Sequence, residues 1–400
     1  MKLDHAQTLC ERCRRPYAPL AAVTIVALAV GFAPGRTQAQ EHIKIGVLVP
    51  LSGSYQSSGT DILNGAKLAV NHLNAAGGVL GKQLELVERD DACNPDQGAN
   101  AATELVAARV VAVAGGYCSS AALPELRILH ATKTPYILDA STHPALTEHG
   151  WGDVFRTIGR TDKQGAYAAS LMKELLHATR VAVVNDGTAY SQGLAKSTVD
   201  ALARDGVKVS YDNALTPGQR DYRDVAQAAA ASGADVLYFT GYYTEAAVLA
   251  KALRASKSGI KHLMGNGTAD PSLIANGGEA VEGMIVTTSP LPQFMTSPNA
   301  KRYIKSYEAA FGHTPGPYSI YEYDAIGVTA RAIEQAHSAK PEAIAAALHE
   351  VAGYDGATGE IAFDEKGDRT KPAFIAVTVR GGKFEPFARL DPKQHWVAAK

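Results

Sequence analysis

Short apolar runs alternate with longer segments of helical period along most of this chain, and after Arg160 the alternation starts afresh. Ile43–Val49 has the pattern of a buried strand. The helix predicted from about Gly59 to Ala76 sets Ile62, Leu63, Ala66, Ala69, Val70 and Leu73 on one face and stops at Gly77-Gly78. A strand over Gln83–Arg89, a helix opened by Pro95, and strands at Val110–Ala114 and Tyr136–Leu138 complete the first series. The second series predicts helices at Gln164–Leu176, Gln192–Asp205, Asp221–Ala231 and Glu245–Ala255. Between them fall strands at Val181–Val184, Val207–Tyr211, Val236–Phe239 and around Leu263–Met264. Such alternation predicts parallel sheets with helices on both faces, and its repetition predicts two Rossmann-like α/β lobes. At 400 residues the chain also exceeds what one hydrophobic core normally serves.

The remainder does not make a third lobe. It offers a strand at Met284–Val286, helices near Asn299–Phe311, Tyr318–Ala336 and Pro341–Val351, and strands at Ile361–Phe363 and Phe374–Val379. Read as late elements returned to each lobe, they divide the chain into 40–159 plus about 290–370, and 160–289 plus about 371–400, joined by a multi-strand hinge that permits closure.

The N-terminus is of another kind. Lys2, Arg12, Arg14 and Arg15 precede an apolar run from Leu20 to Ala33, followed by small and polar residues through Thr37-Gln38-Ala39. That is the pattern of a signal peptide over residues 1–39, too short to span a bilayer, so the mature chain is expected to be periplasmic and not membrane-spanning. Cys10 and Cys13 leave with it. Cys93 and Cys118 remain, and an even pair in an oxidising compartment reads as one disulfide, with two separate buried thiols as the alternative. A net charge of -1 removes the electrostatic case for a nucleic-acid partner.

In open parallel sheets, ligands collect at the carboxyl ends of the strands. There the first lobe presents Gly115-Gly116-Tyr117-Cys118-Ser119-Ser120 and Asp139-Ala140-Ser141-Thr142. Ser119 and Ser120 stand where helix N–H groups are unpaired, and Ser141 and Thr142 add hydroxyls and free backbone N–H groups, a setting for a carboxylate. The plain alternative for Ser119 is an N-cap. In the second lobe the strand ends carry Tyr190, Tyr242 and Tyr243, an aromatic wall or, equally, packing between lobes.

Enzyme signatures are absent: the sequence has no G-x-S-x-G elbow, Walker loop, G-x-G-x-x-G or H-E-x-x-H. Its histidines lack metal spacing, and Asp90-Asp91 would point to opposite faces of a strand. No catalytic residue, metal site or cofactor is therefore expected; a secreted hydrolase is the rival reading.

At these residues the sequence resembles the periplasmic branched-chain amino-acid (leucine/isoleucine/valine-type) binding proteins of ABC transporters. The resemblance runs from about Ile43 to Phe387. It is carried by Leu51-Ser52-Gly53, Asn64-Gly65-Ala66, Asp90-Asp91-Ala92-Cys93, Cys118-Ser119-Ser120, Gly241-Tyr242-Tyr243 and Asp364-Glu365-Lys366-Gly367-Asp368. It implies the type I periplasmic binding protein fold, an amino-acid solute in the interlobe cleft, an inner-membrane permease as partner, and no catalysis. It also implies a disulfide between Cys93 and Cys118, carboxylate contacts at Ser119, Ala140 and Thr142, and a second-lobe contribution from Tyr190 and Tyr242.

Two positions depart from the leucine-type pattern. Ser58 stands where the family presents a tryptophan to the ligand side chain, and Gly267 where it presents a glutamate to the ammonium group. An ammonium taken out of water without a partner costs several kcal/mol. Either Asp270, or else Glu245, supplies the carboxylate, or the ligand has no ammonium and is an amide, urea or aromatic carboxylate. A sensory component that reports a solute to a membrane kinase is a further alternative.

Overall fold

A computed structural model describes residues 42–391 and 393–398; the expected signal peptide and its two cysteines lie outside them. β1 (Ile43–Val49) is followed by α1 (Gln56–Ala75), β2 (Leu84–Asp90), α2 (Pro95–Ala107), β3 (Ala112–Gly115), α3 (Ser119–Ala131), β4 (Tyr136–Leu138) and β5 (Val154–Arg156). Their strands form a five-stranded, all-parallel sheet in the order β2-β1-β3-β4-β5. α1 buries Ile62, Leu63, Ala66, Ala69 and Val70, the face its apolar spacing predicts.

The second series comprises α4 (Thr161–Ser170), β6 (Arg180–Asn185), α5 (Ala189–Arg204), β7 (Lys208–Ala214), α6 (Arg223–Ala231) and β8 (Val236–Phe239). It continues through α7 (Tyr243–Ser256), β9 (Lys261–Met264), α8 (Pro271–Gly277) and β10 (Ile285–Thr288). Next come α9 (Pro298–Phe311), α10 (Ser319–Ala336), α11 (Pro341–His349) and a small hairpin of β11 (Tyr354–Gly356) and β12 (Gly359–Ile361). β13 (Ile375–Arg380), β14 (Lys383–Leu390) and β15 (Trp396–Ala398) end the described chain. The second sheet has eight strands, β15-β14-β13-β10-β9-β8-β6-β7. The fold is the two-lobed α/β arrangement expected.

Some details differ from expectation. The second sheet is mixed, because β13, β14 and β15 join it antiparallel. β14 contains Pro386, which argues against a strand in sequence. The structure accommodates it opposite Val377, where the register shifts between Ala376 and Val377. The helix expected to end at Leu176 starts at Thr161 and changes to a π turn over Leu171–Leu175.

The chain passes between the sheets after β5, after β10 and before β13, and residues of these passages, Thr157, Pro290 and Pro372 among them, line one small pocket. Arg369 ties this hinge together. Its guanidinium donates to the carbonyls of Thr157 (2.9 Å), Thr358 (3.1 Å) and Glu360 (2.8 Å). Tyr321 adds a bond from its hydroxyl to the carbonyl of Pro290 at 3.0 Å. Among the described residues, no helix is long and apolar enough to cross a membrane.

Candidate functional site

β3 delivers its chain to the cleft through Gly115 (φ 119°) and Gly116 (φ 90°), a turn that side-chain-bearing residues rarely adopt. Cys118 then caps α3, and its sulfur is bonded to Cys93, with Cα atoms 5.2 Å apart. Ser119 is thus the first helical residue and not the cap. Its hydroxyl, fully buried, instead accepts the backbone N–H of His143 at 3.3 Å and so joins the loops after β3 and β4.

The loop after β4 is held from below. Arg156, fully buried, donates to the carbonyl of Ser141 (3.1 Å) and to that of His143 (3.2 Å), while its Nε pairs with Asp368 at 2.9 Å. The carbonyl of Thr142 accepts the N–H of Thr161 at 2.9 Å. The hydroxyl of Thr142 is buried and has no protein partner. The Ser141 hydroxyl is likewise buried and unpartnered, and a Cβ on Gly116 would meet it at 3.4 Å. Ala140 is buried between them.

From the second lobe, α5 starts at the Thr188 cap and turns Tyr190 inward. The Tyr190 hydroxyl donates to Asn266 Oδ1 at 2.7 Å and accepts the N–H of Gly267 at 3.0 Å. Tyr242 caps α7, and its N–H donates to Asp186 Oδ2 at 3.3 Å. Asp270 caps α8 by accepting Ser272 N–H at 2.8 Å. Its other oxygen accepts the Ser58 hydroxyl of the first lobe at 2.7 Å.

Gly267 is tightly enclosed. A Cβ there would lie 2.9 Å from the Gly241 carbonyl oxygen and 2.9 Å from the Tyr190 ring. The loop therefore has no room for a side chain at 267, and the nearest carboxylate in sequence is that of Asp270.

Tyrosines from both lobes meet across the cleft. Tyr242 packs on Tyr55 (centroids 4.8 Å), Tyr190 (5.1 Å) and Tyr117 (5.6 Å), and Tyr117 packs on Tyr318 at 5.5 Å. Burial, foremost, pushes the phenols of Tyr117, Tyr190, Tyr242 and Tyr318 well up, so these rings are neutral hydrogen-bonding groups. Further bonds cross the gap: Tyr243 to the Ser54 carbonyl (2.9 Å), Tyr318 to the Asn266 carbonyl (2.7 Å), and Ala189 N–H to the Ser120 hydroxyl (3.1 Å). The lobes are therefore in a closed arrangement. At one edge the cleft meets a cavity of about 410 Å³ lined by Gln56, Asp61, Asn64, Asp270 and Pro271. No group of described residues is arranged to hold a metal ion.

A model of the family described as periplasmic binding protein matches residues 42–383. The chain belongs to that family. Among relatives of this periplasmic binding protein, an amino acid binding protein of Pseudomonas aeruginosa is 34% identical over 350 residues, covering 86% of this chain and 92% of the relative. The crystal structure of the leucine binding protein LivK from Thermotoga maritima superposes with a TM-score of 0.83 at 31% identity, over 88% of this chain and 99% of that one. The branched-chain amino acid transporter substrate binding protein LivJ of Streptococcus pneumoniae, solved with isoleucine, gives a TM-score of 0.81 at 26% identity, over 86% of this chain and 98% of that one. The family's members are solute-binding proteins.

Tyr190, Tyr242 and Asp270 thus border the cleft from the second lobe, while Ser119, Ala140, Ser141 and Thr142 lie buried on the strand-end loops of the first. Tyr55, Tyr117, Tyr318 and Asn266 border it too and went unassigned in sequence. Tyr117 sits inside a strand-end loop and was open to being found; Tyr55 and Tyr318 precede helices and carry no such signal.

Proposed function

We propose that this protein is the extracytoplasmic receptor of an ABC importer, closing its lobes on a branched-chain or other aliphatic amino acid and presenting it to an inner-membrane permease. The observation that carries the reading is the pairing of two unlike walls. Buried polar groups at Ser119 and Thr142 sit on the strand-end loops of the first lobe, and the phenols of Tyr190 and Tyr242 and the Asp270 carboxylate are buried on the second. Bonds from Ser58 to Asp270 and from Ala189 N–H to Ser120 draw the two together. The solute's carboxylate docks first on Ser119, Ala140 and Thr142; Tyr190, Tyr242 and Asp270 then close over it, with Asp270 taking the ammonium. Lobe one comprises 40–159 with about 290–370, lobe two 160–289 with about 371–400, and the hinge passages permit closure. The receptor acts in the periplasm after loss of residues 1–39 and performs no catalysis.

Only a closed form that the solute stabilises signals loading to the permease. Micromolar affinity requires a net gain of about 8 kcal/mol, within reach of one buried zwitterion with a modest side chain. Thermal unfolding against leucine, isoleucine, valine, threonine, alanine, short amides, urea and aromatic carboxylates tests the reading, because a ligand bound only by the native state raises Tm. A rise with aliphatic amino acids supports it. The enclosed Gly267 favours a second reading, a solute without an ammonium; a rise with amides or aromatic carboxylates alone would replace the first with the second.

A further inference from the structure

Several cleft hydroxyls have a protein partner: Tyr190 with Asn266, Tyr243 with Ser54, Tyr318 with Asn266. Thr142 Oγ1 and the Tyr117 hydroxyl are buried without one. Thr142 belongs to the carboxylate end of the cleft, beside Ser119. Tyr117 belongs elsewhere. Its ring lies under Tyr242 of the second lobe and beside Tyr55 (5.9 Å) and Tyr318 (5.5 Å). After burial itself, the groups that act most on its phenol are Tyr318, Tyr243 and Asp270. The hydroxyl is thus enclosed among rings from both lobes and stays protonated.

A buried hydroxyl left unpaired forfeits the full cost of its desolvation, about 1–3 kcal/mol. A pocket holding such a group discriminates strongly against a ligand that cannot pair with it, far more than an apolar pocket discriminates against one added hydroxyl. We propose that Tyr117 is a specificity-determining residue whose hydroxyl pairs with a hydrogen-bonding group on the solute's side chain, so that the cleft favours threonine over its aliphatic isostere valine. The proposal rests on the amino-acid reading above and narrows it: among side chains of one size, the hydroxyl-bearing one is selected.

Calorimetric titration of the protein with L-threonine and L-valine tests this, first in the wild type and then in Tyr117→Phe. The wild type is expected to bind threonine about ten-fold more tightly than valine. Tyr117→Phe is expected to weaken threonine about ten-fold and to tighten valine, which then no longer buries an unpaired hydroxyl. The wild-type comparison stands even should the variant fail to fold. Equal or tighter binding of valine by the wild type overturns the proposal. So does an equal loss for both amino acids in Tyr117→Phe, which would assign the hydroxyl to their shared ammonium end. Binding of neither amino acid by folded wild-type protein overturns the amino-acid reading itself, and the proposal with it.

Discussion

The Ser58 hydroxyl donates a 2.7 Å hydrogen bond to Asp270 Oδ2, joining residues 212 positions apart and on opposite sides of the cleft. Asp270 thus does two things at once, since its other oxygen caps α8 through Ser272. Substitution by asparagine separates them, because asparagine caps a helix about as well as aspartate while carrying no charge. Asp270→Asn is expected to weaken amino-acid binding by roughly ten-fold or more with little change in the Tm of the ligand-free protein. Calorimetry and thermal unfolding check the two halves. Unchanged affinity would remove Asp270 from the ammonium site.

Ser58→Ala deletes one bond of the closed form and nothing of the ligand's own partners. A neutral-to-charged hydrogen bond is worth about 1.5–3 kcal/mol, part of which water restores when the lobes open. The expected result is an affinity loss of about five-fold, borne mainly by faster release. Stopped-flow dissociation measures it.

Thr142→Val is nearly isosteric and removes a hydroxyl that has no protein partner. Without ligand the variant should match or exceed the wild type in Tm, since no bond is lost and no buried polar group is left over. With ligand it should lose about ten-fold or more in affinity. A variant that binds normally would show that the hydroxyl does not reach the solute's carboxylate.

The strand–helix grammar made the parallel part of both sheets legible in the sequence, but not β5, β14 or β15, because a strand buried on two faces reads as an apolar run and these short or edge strands do not. It also brought the loops after β3 and β4 into view, since ligands collect at strand ends. What it left out lay in long-range partnership. β5 is only Val154–Arg156, and its arginine is stabilised by Asp368, more than two hundred residues away. Ser58 read as the loss of an aromatic; only the fold shows that it reaches Asp270. Ser119 read as a cap or a ligand group, and neither reading anticipated its bond to His143. Such pairings leave no periodic trace in a single sequence.

Gly267→Glu would restore the residue type of the leucine-type pattern, yet here it should impair function. The Cβ alone approaches the Gly241 carbonyl and the Tyr190 ring at 2.9 Å. Those are backbone and a ring held by two hydrogen bonds, so neither yields cheaply. The expected outcome is lower Tm and lost affinity for every amino acid tested, with Gly267→Ala intermediate. A gain in leucine affinity in Gly267→Glu would show the loop to be more adaptable than its packing implies.

Stability should fall as pH rises through the weakly acidic range. Asp91 and Glu125 are both fully buried, and each keeps one carboxyl oxygen without a partner. Burial, reinforced by Asp90, raises Asp91 from its ordinary value to about 7, and burial together with Asp91 pushes Glu125 well up. An acid with a raised pKa binds more protons folded than unfolded, so the stability it confers is complete below the unfolded pKa and is lost as pH climbs to the folded one. For Asp91 that window runs from 3.8 to about 7. Glu125→Gln removes one of the two charges and keeps an oxygen for the Tyr136 hydroxyl, which donates to Glu125 at 2.7 Å. Denaturant unfolding at pH 5 and pH 8 should therefore show the wild type weaker at pH 8, and Glu125→Gln with a smaller difference and the higher stability there. An unchanged difference in Glu125→Gln would mean that the pH dependence arises at other buried acids, such as Asp139 and Glu322, whose carboxyls burial also pushes well up.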